Sequence, residues 1–429
     1  LSQEKSPENP GDPQLVKDIF ERRQKTPEAA KKISALFGGS PVHQSPAGTL
    51  GRPSGKAAEK KKRPGEYFPV GIDMGGSEIK MAQLAGYDGQ IELVKASRAR
   101  FSGQSHKGAI RQLVSEGGFK GEAVIGLSAK EAQIRVLSLP PMPASEVEGA
   151  VNWQIAEDLR IDPRRMADFS VDYAVLSESD KTSSREKKVL VAVVRRDAVM
   201  GKIQEISEAG LDVIAVEPGP LALFAAVCRF LTPDETKLTL LLNIGYDNSF
   251  LSIAFGQDVY LVGDIATTGN LMTEAIKDYF QIDYGDAEEL KRQYGLEDWA
   301  SAPAIIAKSQ TGSRDIASLR PALASGLENL IVDIEHSYKS LSNLLARSGA
   351  GDLSRIIICG GGAKLKGIES FLRGPFNIPV EAFNPLNSIL IDDELMGRFD
   401  VKEAGAGFGT AIGLSLRSKG EDEATKSYT

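Results

Sequence analysis

An apolar strand that ends in a short polar residue, one further residue and a glycine occurs twice, as Asp73-Met74-Gly75 and as Asn243-Ile244-Gly245, 170 residues apart. In both copies a second strand follows at once. The first runs through Gly75-Gly76-Ser77 into Ser77 to Leu84, and the second through 244–248 into Ser249 to Phe255. Repetition at this distance predicts two duplicated lobes facing one another. The 429 residues leave room for both, since domains usually run to about 150 residues.

Glycines in such a turn let the backbone approach a ligand closely. The amides of Gly75, Gly76 and Ser77 can then form a concave set of donors for phosphate oxygens. Asp73 beside a polyphosphate would be repelled unless a divalent cation, Mg2+ held through water, lay between them. Alone, the turn serves equally well as a hairpin connection. A third glycine segment, Gly360-Gly361-Gly362-Ala363, follows the strand Ile356 to Cys359 and precedes a helix around Ile368 to Leu372. It could hold a flat ring against backbone or simply turn the chain. Glu288 and Lys291, three residues apart, share a helix face and by themselves read as an exposed ion pair.

From Tyr67 onward, short apolar strands alternate with amphipathic helices, the pattern of an α/β fold. Strands are expected at Tyr67 to Asp73, Ser77 to Leu84, Ile91 to Ser97, Ala123 to Leu127 and Gln133 to Leu139. A different unit then intervenes. Ser145 and Glu148 have capping-box spacing ahead of a stripe of Val147, Val151, Ile155 and Leu159, and strands are expected at Phe169 to Leu176 and Val189 to Val194. The expected division is an N-terminal extension with short helices and a flexible basic linker (1–66), lobe one (67–140), an inserted small subdomain (141–212) and lobe one continued (213–236). Lobe two follows (237–400, its outer part around 271–350), then a return to lobe one (401–418) and a polar tail (419–429).

Charge separates along these divisions. Residues 1–66 hold 13 Lys and Arg against 8 Asp and Glu, while the whole chain carries a net charge of -7. The acidic body argues against a broad nucleic-acid surface. The basic run Lys56 to Arg63 could touch anionic lipid, nucleic acid or an acidic partner, but a solvated linker is the plainer reading. Two distant cysteines and three histidines argue against a disulfide framework or a Cys/His zinc site and suit a reducing cytoplasm. No apolar run reaches membrane-spanning length, so direct membrane insertion is not expected.

The four elements in this order resemble the actin-like ATPase superfamily. The paired turns resemble its two phosphate motifs, Glu288 and Lys291 its ribose-contacting helix, and Gly360 to Ala363 its adenosine motif. Within it the chain is similar to the PilM family of type IV pilus assembly proteins, and next to the division protein FtsA. The residues that carry this are Val70-Gly71-Ile72-Asp73 with Ile79-Lys80, then Leu139-Pro140-Pro141-Met142-Pro143 leading to Glu146 and Trp153. Val216-Glu217-Pro218 with Leu221-Ala222-Leu223 extends the likeness. Phe408 to Gly413 looks like the family's final helix returning to lobe one.

The resemblance implies duplicated RNase H-like lobes closing over Mg-ATP, with a small α/β subdomain inserted in lobe one. It implies nucleotide contacts at Gly75, Gly76, Ser77, Asn243, Gly245, Asn248, Glu288, Lys291, Gly360, Gly361 and Gly362, and Asp73 on the metal side. Glu217 would orient an attacking water, or form a structural Glu-Pro turn. Asn243 stands where the family has aspartate, so hydrolysis is expected to be slow or absent. Thr268 replaces one glycine of a pair completed by Gly269. The implied partner is the N-terminal cytoplasmic tail of a PilN-like membrane protein, lying between lobe one and the insert, which would place the protein at the inner membrane. Helix 145–159 could wall that groove, although its stripe is better explained as core. The alternatives are an FtsA-like filament protein, against which the polar 419–429 argues, and a small-molecule kinase, for which no acceptor-site motif is found.

Overall fold

The computed structural model describes residues 66–417 apart from 88–89, 101–105, 177–186, 232–236, 257, 298–305, 310–311, 316–317, 346–351 and 397–403. The expected helices and linker of 1–65 and the polar tail at 419–429 lie outside the described residues.

Lobe one starts with β1 (Glu66–Met74), β2 (Glu78–Tyr87) and β3 (Gln90–Arg100), paired antiparallel in sequence order. Helix α1 (His106–Glu116) buries Ile110, Leu113 and Val114, a spacing of three and four that suits one helix face. It leads to β4 (Gly121–Leu127), which pairs parallel to β1. Residues 123–127 of β4 are buried without alternation, as expected of a strand covered on both sides.

The next strand, β5 (Ala132–Leu139), leaves this sheet, contrary to its expected place in lobe one. It joins helix α2 (Ala144–Asp158), β6 (Phe169–Val175) and β7 (Lys187–Arg195) in the inserted unit, an antiparallel sheet of order β5-β7-β6. Leu137 and Leu139 pack there with Val189, Val191 and Val193 against the α2 stripe Val147, Val151 and Ile155. That stripe is therefore core. The expected capping box does not form: α2 already starts at Ala144, and Glu146 N donates to the Pro143 carbonyl at 3.0 Å. Ser145 thus lies inside the first turn, past the position from which a side chain caps the first amides.

The insertion also ends earlier than expected. Helix α3 (Arg196–Ser207) follows β7 directly and buries Val199, Ile203 and Ile206 in the lobe-one core with Ile72, Ile110 and Ile125. Then β8 (Leu211–Pro218) pairs parallel to β4. The other face of the insert packs on lobe two, where Ile134, Leu176 and Leu190 meet Tyr260 and Val262.

Helix α4 (Gly219–Phe230) is almost wholly apolar, the composition of a helix buried on all sides. Its Leu223, Phe224, Ala226 and Val227 pack with Leu241, Phe250, Ile357 and Cys359, so it sits between the lobes.

Lobe two repeats the plan. Strands β9 (Leu238–Asn243), β10 (Ser249–Phe255) and β11 (Asp258–Ile265) pair antiparallel. Helices α5 (Gly269–Phe280) and α6 (Tyr284–Tyr294), the hairpin of β12 (Ile306–Ser309) and β13 (Gly312–Asp315), and the long α7 (Leu319–Leu345) precede β14 (Leu353–Cys359). Strand β14 pairs parallel to β9, and beyond α8 (Ile368–Phe376) β15 (Val380–Ala382) pairs parallel to β14. The order β11-β10-β9-β14-β15 matches β3-β2-β1-β4-β8 strand for strand. This is the duplication that the twin turns predict.

The chain returns to lobe one before residue 401. Strand β16 (Leu390–Ile391) adds to β3, and after α9 (Asp393–Met396) helix α10 (Gly409–Ser415) is buried beside α4, β1 and β2. Ser415, fully buried, donates to the Pro69 carbonyl at 2.8 Å and accepts from Leu84 N at 3.1 Å. Ser415→Ala leaves both backbone groups unmet and should cost about 1–3 kcal/mol. An unchanged urea midpoint for the full chain would contradict this. Among the described residues no helix is long and apolar enough to cross a membrane.

Candidate functional site

The corresponding strands β1 and β9 of the two lobes end at the same cleft, of about 1070 Å³, between the lobes. Asp73, Gly75, Gly76, Ser77, Asn243, Gly245, Asn248, Glu288, Lys291, Gly360, Gly361 and Gly362 all line it. Residues spread over 290 positions of sequence thus meet because they lie at the carboxyl ends of strands, in the turns that follow them, or on α6. Strand ends in open α/β sheets are where ligands bind.

On the lobe-one wall Gly75 N donates to Glu78 O at 3.0 Å, closing the hairpin. Asp73 stands opposite Lys80 in the ladder, and Lys80 Nζ lies 3.8 Å from Asp73 Oδ2 and 3.8 Å from Glu78 Oε2. Burial pushes the Asp73 carboxyl above the ordinary carboxylate range, and Lys80 and Lys202 offset this only in part. A divalent cation would reverse that balance, because it favours the ionised carboxylate.

On the lobe-two wall the second turn and the third glycine segment are knitted by backbone. Ile244 N donates to Cys359 O at 3.1 Å, and Gly362 N donates to Ile244 O at 2.9 Å. Gly360 has φ 80, and a Cβ there would lie 2.8 Å from Asn243 Oδ1, so no larger residue fits beside this side chain. Above Gly361 the space is open, as a flat ligand resting on backbone requires. The Nδ2 of Asn248, a residue of the cleft lining, is buried without a hydrogen-bond partner.

Glu288 and Lys291 form more than a surface pair. Lys291 Nζ donates to Gly269 O at 2.8 Å and to Thr273 Oγ1 at 2.7 Å, and lies 2.6 Å from Glu288 Oε2. Thr273 Oγ1 lies 2.6 Å from the same carboxylate oxygen. Burial alone would raise the Glu288 carboxyl, but hydrogen bonds from Lys291 and Thr273 hold it below the usual range. Thr268, in its place beside Gly269, caps α5 by accepting from Leu271 N at 3.3 Å.

Glu217 is the exception among the expected residues. It ends β8, but its carboxylate pairs with the Arg417 guanidinium and is not part of the cleft lining. The structural alternative for this Glu-Pro segment is the one that its partner supports. Sequence reading passed over Lys80 as a site residue and missed Lys130, Lys202 and Arg292, which also line the cleft. Arg292 stacks one position beyond Lys291 on α6 and binds Glu288 Oε1 at 2.8 Å, an i,i+4 spacing that was legible.

The lobes touch across the cleft mouth. Lys130 Nζ, from lobe one, donates to Asp247 O at 2.6 Å, and the Asp247 carboxylate lies against Gly76, where a Cβ would be 1.9 Å from Oδ1.

These donors fit a nucleoside polyphosphate. The orphaned Asn248 amide, the Gly76 and Ser77 amides and Lys80 suit anionic oxygens, and open backbone at Gly361 suits a base, whereas the Gly75 amide, expected as a donor too, is spent on Glu78 O in closing the hairpin. Among the described residues no group of three or more acidic, His or Cys side chains could hold a metal ion by itself. The donor set therefore suits a cation shared between Asp73 and phosphate oxygens, the manner in which Mg2+ is usually held.

The family described as type IV pilus assembly protein PilM matches residues 71–301. Among solved structures, a PilM-PilN type IV pilus biogenesis complex is similar at 24% identity and TM-score 0.66, covering 81% of this chain and 98% of that one. The ethanolamine utilization protein EutJ from Carboxydothermus hydrogenoformans is more distant, at 12% identity and TM-score 0.45 over 82% of this chain and 91% of that one. MreB5 of Spiroplasma citri bound to AMPPNP has 14% identity and TM-score 0.44 over 84% and 99%. Among curated proteins none matches the chain. The fold is the actin-like two-lobed fold.

Proposed function

Because the chain belongs to the type IV pilus assembly protein PilM family, we propose that it is an ATP-binding scaffold of a pilus or related secretion platform. The observation that carries this reading is the meeting of two glycine turns, a third glycine segment and the Glu288-Lys291 pair on one interlobe cleft. In it Asp73 and the Gly76 and Ser77 amides would hold the magnesium-bound phosphates, Asn248 would donate to a phosphate oxygen, and Gly360 to Gly362 would support the base. The bound cation supplies charge neutralisation between Asp73 and the phosphates. The ribose would meet Glu288 and Lys291, which α5 and α6 hold in a fixed geometry.

Binding is favoured over turnover. Asn243 contributes no charge at the second turn, and Glu217 is committed to Arg417, so neither supplies a carboxylate to activate water. Titration of Mg-ATP into the full chain, followed by calorimetry, tests the reading; no binding at millimolar nucleotide rejects it. Asn243→Asp should strengthen the magnesium dependence of nucleotide binding by about tenfold, the scale of an outer-shell carboxylate. An unaltered dependence would mean that position 243 does not face the cation.

The partner in this reading is the N-terminal tail of a PilN-like membrane protein, which would hold the scaffold at the cytoplasmic face of the inner membrane. Support comes from the similar PilM-PilN complex and from the inserted unit on lobe one. Because the apolar stripe of α2 is core, a groove between lobe one and the insert would draw its anchors from other side chains. A peptide copy of such a tail should bind the full chain, and failure to bind in the presence or absence of Mg-ATP would remove it as partner.

A further inference from the structure

The cleft has two chemically distinct walls. On the lobe-two wall, α6 provides Glu288, Lys291 and Arg292. On the other, in lobe one, lies a cation that the reading above leaves without a role. Lys202 projects from α3, its side chain 14% exposed, and its Nζ lies 3.0 Å from Glu131 Oε1. Glu131 is itself held by the turn after β4, where its Oε2 accepts from Ser128 N at 3.0 Å and Ser128 Oγ at 2.9 Å. Lys202 and Glu131 line the same cleft as Asp73 and Asn248.

An ammonium has three donors, and Glu131 takes one of those of Lys202. The helix that carries it cannot drift, because Val199, Ile203 and Ile206 fix α3 in the lobe-one core. The result is a largely buried cation on the lobe-one side of the cleft, close enough to Asp73 for its field to act there. Its field on Asp73 already opposes the effect of burial there. A nucleotide with its base at Gly361 and its phosphates at Asp73 would bring the end of its phosphate chain to the side of the cleft that carries Lys202. Only the last phosphate of a triphosphate projects as far as possible from the base.

We propose that Lys202 reads the terminal phosphate, giving a hydrogen bond to it when a nucleoside triphosphate is bound and remaining with Glu131 when the ligand ends at the second phosphate. Glu131 is then a positioning residue that competes with the phosphate for one ammonium. This assignment rests on the cleft being a nucleotide site. It makes the cleft a discriminator between triphosphate and diphosphate without requiring hydrolysis.

The test uses the full chain and compares Mg-ATP with Mg-ADP by calorimetry. Lys202→Gln should weaken Mg-ATP at least about tenfold, as loss of a charge-assisted hydrogen bond does, and change Mg-ADP less than about threefold. Glu131→Gln should act in the opposite direction, tightening Mg-ATP about two- to fivefold with Mg-ADP unchanged. A misfolded variant cannot produce tighter binding, so this second arm stands even if Lys202→Gln folds poorly. Equal losses of ATP and ADP in Lys202→Gln, or weaker ATP binding in Glu131→Gln, overturn the role of Lys202 while leaving the nucleotide site in place. No binding of either nucleotide by the wild type overturns both.

Discussion

Asp73→Ala should abolish magnesium-dependent ATP binding, with a loss of about 100-fold or more, because in the proposed site it removes the carboxylate at the end of β1 that would share a cation with the phosphates. The same change should leave the melting temperature unaltered or higher. Burial raises the proton affinity of this carboxyl, so the folded state holds it at a cost that Lys80, 3.8 Å away, offsets only in part. A site that sacrifices stability for function behaves in this way when its key group is removed. Calorimetry with and without Mg2+ and a thermal scan measure the two effects. Retention of magnesium-dependent affinity within threefold of wild type would remove Asp73 from the site.

The largest effect on stability is expected at Gly413. A Cβ there would lie 1.8 Å from the Ala222 carbonyl oxygen, which belongs to the backbone of α4 and cannot swing aside. Gly71, on the other side of α10, is as tight: its Cβ would meet the Ala411 oxygen at 1.9 Å and Ser415 N at 2.6 Å. Two glycines thus let one short helix lie between a strand and the interlobe helix at backbone contact distance. Gly413→Ala should cost about 3 kcal/mol or more. This corresponds to a melting-point fall of roughly 6–12 °C for a unit of this size. Gly149→Ala is the control, since nothing lies within 4 Å of its added methyl in α2, and it should stabilise by about 0.5–1 kcal/mol. Equal melting temperatures for the two variants would refute the packing argument.

The cleft-lining glycine turns were legible because their signal is local. A strand that stops at Asp73 or Asn243 and turns through glycine announces both its direction and its open end, and the two copies announce the duplication. Sheet membership was not legible in the same way. The alternation in β5 predicts a strand with one buried face, yet a period of two carries no information about which sheet that face covers. Two-residue β16 has no periodicity at all, so the early return to lobe one had no signal to find. Lys130 and Lys202 were ordinary solvated lysines in sequence, and only the convergence of the β4 turn and α3 makes them cleft residues. Glu217 shows the converse. Its likeness to a catalytic segment was visible, but its partner Arg417 is 200 residues away and lies just past the last helix, beyond the reach of any local reading.

The apolar seam that joins Ile134, Leu176 and Leu190 to Tyr260 and Val262 gives the insert two moorings. Covalently it grows from the first lobe; by contact it rests on the edge strand of the second. Any swing of the lobes must therefore drag or shear this small sheet, much as a strut hinged to one door leaf and wedged against the other records how far they stand apart.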